Sequence, residues 1–303
     1  MVGVYSKMKL IITGTTGFAG INLISYLKDF ETQPLSLRYQ PSQKVCLGEA
    51  DAIIHLSGKA HDLKKISQPQ EYYDANFELT KQLYDAFLKS DARKFVFISS
   101  VKAAADTVNG ILTEETIPDP ETHYGKSKLQ AEEYIQSQPL PEGKSYYILR
   151  PCMIHGPGNK GNLNLLYKFV KKGIPYPLAA FENKRSFLSI ENLCFVIKEL
   201  LERDIPSGIY QVADDKSLST SELVNQIALN LGLKPRLWQI PAAFIKAAAK
   251  AGDILRLPLN TERLTKLTES YEVSNAKIKK VLGKELPVSA REGLKRTILS
   301  FKG

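Results

Sequence analysis

The chain has 303 residues, 43% hydrophobic and 24% charged, which is ordinary for a soluble globular protein and enough for one two-lobed enzyme. Three scattered cysteines (Cys46, Cys152, Cys194) make no disulfide framework and point to a reducing, cytoplasmic compartment, and no apolar run nears the roughly 18 residues of a membrane span. The net charge of +9 is spread over short lysine pairs at 64–65, 171–172 and 279–280, which suits an anionic small substrate and not nucleic acid.

Met1 to Lys9 reads as a tail without a signal core. Lys9 to Thr13 is a short apolar run bounded by glycine, as a buried parallel strand requires, and Ile21 to Leu27 has helical spacing. Leu35 to Arg38 is the expected second strand and Ala52 to Leu56 the third. A long helix over Tyr72 to Ser90, a strand over Lys94 to Ser99, a helix over His123 to Gln136 and a strand over Ser145 to Arg150 follow. This alternation predicts an α/β fold with a doubly wound parallel sheet. Beyond Arg150, Pro151, Gly156, Pro157, Gly158 and Gly161 mark a boundary. Ser189 to Leu201 is predicted helical, Gly208 to Ala213 extended, and the rest mostly helical up to Leu282. Residues 8–160 are expected to form the first domain, with 186–214 returning to it, and 161–185 with 215–303 a smaller lobe. Pro241 to Leu257, apolar with scattered lysines, is expected to pack on that lobe, with contact to a membrane surface as the alternative.

Between the first strand and helix stands Gly14-Thr15-Thr16-Gly17-Phe18-Ala19-Gly20. Gly14 permits a sharp turn, Gly17 removes a side chain where a pyrophosphate approaches, and Gly20 lets helix and strand pack closely. The phosphates then meet free N–H groups at the helix N-terminus. Strand, glycine turn and helix together predict a dinucleotide site that includes Thr16 and Phe18. Arg38, at the expected end of the second strand, suits the 2′-phosphate of NADP(H), with NAD(H) as the alternative. Asp51, before the third strand, is the candidate partner of the adenine amine. Cys152 and His155 have no second pair at zinc-like spacing, so no metal site is expected.

Tyr124 and Lys128, at i and i+4, face the same way on a helix. A lysine ammonium there favours the phenolate and brings the phenol toward working pH. Ser99 and Ser100 end a strand, where sheet enzymes bind ligands, and a hydroxyl there can orient a carbonyl.

These motifs together resemble the extended short-chain dehydrogenase/reductases, in the nucleotide-sugar epimerase/dehydratase branch. The resemblance runs from Leu10 to about Leu286 and implies a Rossmann sheet with a smaller C-terminal α/β substrate lobe. It implies Ser100, Tyr124 and Lys128 as the catalytic residues. His55-Leu56-Ser57-Gly58, Asn76, Ser99 and Pro151 (in Arg150-Pro151) match segments along the cofactor. Asn162 and Arg185 match sugar diphosphate contacts, Tyr176 stands where the resemblance implies the nucleotide base pocket, Arg263 is a weaker candidate for a second phosphate contact and Lys102 a suspected substrate contact. Family resemblance also implies a homodimer. The stretch from Arg38 to Ala52 departs from the pattern, being too short for the usual connecting helix.

The 4,6-dehydratases of this branch carry Asp-Glu after the active-site Ser or Thr, whereas Val101-Lys102 follows Ser100 here. That leaves reductases and 4-epimerases. With Arg38, the resemblance implies NADP(H)-dependent reduction of the 4-keto group of a UDP-linked 2-acetamido-2,6-dideoxy hexulose in surface polysaccharide synthesis. The alternatives are an NAD-dependent UDP-hexose 4-epimerase and a dinucleotide-binding regulator without chemistry.

Overall fold

The computed structural model describes residues 7–59, 68–159, 161–255 and 260–302. Residues 1–6 of the expected tail, the lysine pair 64–65, Lys160 and the end of the apolar stretch at Leu257 lie outside the described residues.

The chain opens with β1 (Lys9–Thr13), α1 (Phe18–Tyr26) and β2 (Glu31–Leu35). β3 (Ala52–His55) leads into α2 (Pro69–Tyr73), one π-helical turn (Asp74–Glu78) and α3 (Leu79–Lys89). Then come β4 (Lys94–Ile98), a 3-10 turn (Val101–Ala103), β5 (Ile111–Leu112), α4 (His123–Ser137) and β6 (Ser145–Pro151). β7 (Met153–His155), α5 (Asn162–Lys171), β8 (Phe187–Ser189), α6 (Ile190–Glu202) and β9 (Gly208–Val212) follow. The last third holds α7 (Thr220–Asn230), α8 (Ala242–Leu255), α9 (Thr261–Thr268), β10 (Glu272–Val273), α10 (Ala276–Leu282) and α11 (Ala290–Ser300).

Six strands form one parallel sheet in the order β2-β1-β3-β4-β6-β9. Its inner strands are near-continuous apolar runs, such as Leu10-Ile11-Ile12 and Phe95-Val96-Phe97, because helices cover both faces. From β1 the chain moves out to β2 and returns to β3 on the other side. That reversal opens a crevice at the C-terminal ends of β1 and β3, where doubly wound sheets of the Rossmann type hold ligands. A separate core gathers Leu163 and Tyr167 of α5, Leu223 and Ile227 of α7, Ile245 of α8 and Ile298 of α11. No helix among the described residues is long and apolar enough to cross a membrane.

Three sequence expectations need correction. The second strand is Glu31–Leu35, not Leu35 to Arg38. Pro34, which reads as a strand breaker, sits opposite Ile12 in an edge strand, where a missing N–H is tolerated. The long helix is interrupted by the π-helical turn, whose extra residue re-aims Asn76. And α11 lies beyond the helical region expected to end at Leu282. Its start is signalled by Ser289 and Glu292, whose backbone N–H donates to the Ser289 hydroxyl at 3.3 Å.

Candidate active site

The glycine turn fits a dinucleotide. Gly14 has φ +70°, and a Cβ there would lie 2.9 Å from the Ser57 nitrogen, so the loop after β3 packs directly on the turn. A Cβ on Gly20 would lie 2.3 Å from the Gly14 carbonyl oxygen, which ties α1 tightly to β1. Thr16 and Gly17 stand exposed at the tip, and Phe18 is half-buried behind them. Gly17 caps α1 without a side-chain hydrogen bond, and no acidic residue occupies the first turn. The first N–H groups of α1 are thus left to an anion.

Under this turn lies a buried polar chain. His55 is level with Thr13 across β1 and β3 and is 0% exposed. The Thr80 hydroxyl donates to the Asn76 carbonyl (2.7 Å), so it accepts from His55 Nε2 (2.9 Å). The Thr13 hydroxyl accordingly donates to Nδ1 (2.8 Å) and accepts the Ser57 N–H (3.1 Å). Both ring nitrogens are satisfied by a neutral imidazole, and burial pushes its pKa down to about 3, helped by the charge of Lys128. His55 therefore holds the strand ends and the loop Leu56-Ser57-Gly58 in place; the expectation that it contacts the cofactor is corrected, because it is enclosed by the sheet. Asn76 is corrected in the same way. Its amide accepts the Lys59 N–H (2.8 Å) and donates to the Lys59 carbonyl (3.1 Å) and Ser127 hydroxyl (3.0 Å), clamping the loop to α4.

α4 carries the catalytic candidates. Thr122 caps it, its hydroxyl accepting from the Gly125 N–H at 3.2 Å. Tyr124 is half-buried, packs edge-on against Tyr72 and shares a side-chain hydrogen bond with Ser100. Burial holds its phenol above the ordinary value, and the Ser100 bond opposes this. The expected lowering by Lys128 is thus corrected: Nζ of Lys128 donates to the Ile98 carbonyl (2.9 Å) and lies over the Phe97 ring (4.7 Å). Burial pushes the Lys128 ammonium down to about 8 while Glu132 works against the shift. A Cβ on Gly58 would lie 3.1 Å from that Nζ, so the post-β3 loop, the lysine and the tyrosine form one wall of the crevice. Ser100 caps the 3-10 turn, accepting the Lys102 N–H at 3.2 Å.

Ser99 does not face this wall. Its hydroxyl donates to Glu132, which is fully buried and receives Arg150 Nε at 3.0 Å on both carboxylate oxygens. Ser99 as a cofactor contact is corrected: it ties β4 to α4 from within. Glu132 was missed, although it follows Tyr124 and Lys128 at the same i+4 step. Asp51 is also corrected. It lies at the N-terminal edge of the sheet, accepting the Lys9 N–H at 2.7 Å, whereas the crevice opens at the C-terminal edge. Arg38 stands exposed three residues past the end of β2. Pro151 is buried at the C-terminal end of β6, paired with Val212.

The C-terminal lobe holds a cavity of about 900 Å³ whose walls include Asn162, Tyr176 and Arg185. Arg185 donates to the carbonyls of Glu269 (3.2 Å) and Lys266, closing the C-terminal end of α9 with part of its fork. Arg263, the weaker candidate for a phosphate contact, is exposed on α9 and is not among the residues that line the cavity. Lys102, the suspected substrate contact, is committed to the Asp106 carbonyl (2.7 Å) and lies over the Tyr271 ring (4.4 Å).

Residues 10–213 match a family model described as the NAD dependent epimerase/dehydratase family. The chain is 28% identical to a Vibrio cholerae protein named UDP-glucose 4-epimerase, over 96% of this chain and 95% of that one. It is also 28% identical to an Escherichia coli O157:H7 protein named N-acetyl-alpha-D-glucosaminyl-diphospho-ditrans,octacis-undecaprenol 4-epimerase, over 89% of this chain and 84% of that one. The solved structure of RMD from Pseudomonas aeruginosa, complexed with NADPH, superposes with a TM-score of 0.69 at 21% identity, covering 97% of this chain and 99% of that one.

Proposed function

The chain belongs to the NAD dependent epimerase/dehydratase family, and we propose that it epimerises a sugar carried on a diphosphate at C4. The observation that carries this is the Tyr124–Ser100 hydrogen bond on the wall shared with Lys128 and the loop of Gly58. Names of the Vibrio cholerae and Escherichia coli relatives, both 4-epimerases, support the outcome.

The glycine turn and the first N–H groups of α1 would hold the dinucleotide diphosphate, and the Lys128 ammonium would serve the nicotinamide ribose hydroxyls. A bound nicotinamide supplies hydride acceptance and return. Ser100 and Tyr124 converge on O4 of the sugar. Tyr124 takes the hydroxyl proton as the C4 hydride leaves and gives it back when the hydride returns to the other face.

A second reading is the NADP(H)-dependent reduction of the 4-keto group of a UDP-linked 2-acetamido-2,6-dideoxy hexulose. Two observations favour it: Arg38 just past β2, and the burial that keeps Tyr124 protonated, ready to donate to a carbonyl oxygen. Mass spectrometry of nucleotides released from the purified enzyme separates the two. Near-stoichiometric NAD is expected for the epimerase; an empty or NADP-loaded site supports the reductase. For either reaction Tyr124→Phe should remove nearly all turnover and leave dinucleotide affinity within about twofold. Surviving turnover would remove Tyr124 from the acid–base role.

A further inference from the structure

The cavity in the C-terminal lobe is poorly matched to a nucleoside. Among its described wall residues only Asn162, Tyr176, Arg185, Thr220 and Lys266 carry polar side chains. The rest of the wall is hydrocarbon, including Leu163, Leu166, Phe169, Leu223 and Ile245. Ribose hydroxyls and a base edge buried there without partners cost roughly 1–3 kcal/mol each. A hydrocarbon chain loses nothing in the same place and gains from every methylene removed from water.

The apolar surface does not stop at the cavity. Leu165 of α5 (63% exposed), Phe244 of α8 (71%) and Leu267 of α9 (51%) all line it and all remain largely open to solvent. α8 buries only Ile245, Ala249 and Gly252. Phe244, Ala248, Ala251 and Leu255, spaced 4, 3 and 4 apart, form a second apolar stripe that is exposed from end to end. Lys246 and Lys250 lie exposed on another face of the helix. α8 thus packs on the small lobe through Ile245, Ala249 and Gly252 and leaves a second apolar face open.

The cavity wall is tied through Tyr271 to the turn that follows Ser100. Arg185 bridges to Tyr271, and the Tyr271 hydroxyl donates to the carbonyls of Val101 (3.2 Å) and Ala105 (2.6 Å), Val101 being the residue after Ser100. Arg185, which also pairs with Glu269 (3.5 Å), and Lys266, which pairs with Glu262 (2.6 Å), are the two cations on the cavity wall, each able to exchange its carboxylate for a diphosphate.

We propose that the cavity receives the isoprenoid chain of a polyprenyl diphosphate sugar, with the diphosphate at Arg185 and Lys266 and the sugar at Ser100 and Tyr124. This rests on the C4 chemistry above and names the carrier: a lipid rather than a nucleoside.

The test is chain-length dependence of turnover. N-acetylglucosaminyl diphosphate esters of methyl, geranyl and farnesyl alcohols are compared with UDP-N-acetylglucosamine and UDP-glucose for wild type and Phe244→Glu, epimer formation being followed by NMR. The solvent position of Phe244 makes the substitution compatible with folding. For wild type, kcat/KM should rise at least about 100-fold from the methyl to the farnesyl ester and exceed that for either UDP-sugar. Phe244→Glu should cut that rise at least about tenfold. A flat chain-length profile, or turnover of the UDP-sugars alone, overturns the lipid assignment and leaves the C4 chemistry standing. No epimer from any of these compounds overturns both.

Discussion

Glu132→Ala probes the buried frame that positions Tyr124 and Lys128. Arg150 is 1% exposed, and its Nε lies 3.0 Å from both Glu132 oxygens. Deleting the carboxylate leaves the guanidinium buried without its counter-charge, at a cost of about 3–5 kcal/mol. At about 2.1 cal/mol/K of unfolding entropy per residue, each kcal/mol lowers the Tm of this chain by roughly 1.6 °C, so circular dichroism melting should show a drop of roughly 5–8 °C. Glu132→Gln keeps the shape but turns one acceptor oxygen into an N–H donor and removes the charge that holds the Lys128 ammonium up against burial. The lysine pKa, about 8 in the wild type, then falls further. The alkaline limb of kcat/KM, where this ammonium is lost, should move to lower pH in the glutamine variant. An alanine variant melting within about 2 °C of wild type, or a glutamine variant whose alkaline limb stays put or moves up, refutes the reasoning.

His55 gives a stability signature. Its folded pKa of about 3 lies below the ordinary 6.5, so between those values the unfolded chain binds a proton that the folded one does not. Stability is thereby lost as pH falls through this window, at up to about 1.4 kcal/mol per pH unit from this group. His55→Gln should flatten the decline measured by urea unfolding; equal slopes would exclude His55 as its source. Gly20→Ala forces a Cβ to 2.3 Å from the Gly14 carbonyl oxygen. The strain, about 1–3 kcal/mol, should leave the protein folded but weaken dinucleotide binding at least about tenfold by fluorescence titration. Unchanged affinity would mean that the turn does not hold the cofactor.

What could be read in the sequence was what depends on neighbours along the chain. The glycine turn, the apolar strands and the Tyr124–Lys128 pair each rest on a local period, and the structure keeps them. His55, Asn76 and Ser99 were misjudged because each ends or faces a strand or helix whose rotation decides between crevice and interior. Only the register of Thr13 against His55, and the π-helical turn under Asn76, settle that. Asp51 was avoidable: a residue before a parallel strand lies at the edge away from the crevice. So was Glu132, one more i+4 step along α4. The apolar cavity was not legible, since α5 meets α8 and α9 there from a segment some 70 or more residues earlier in the chain.

Deuterium placed at C4 of the sugar diphosphate tests the C4 hydride chemistry most directly. Epimerisation through hydride removal and return keeps the label on C4 in the inverted product, with slower turnover of the labelled compound. Loss of the label to water, or inversion at any other carbon, would contradict it.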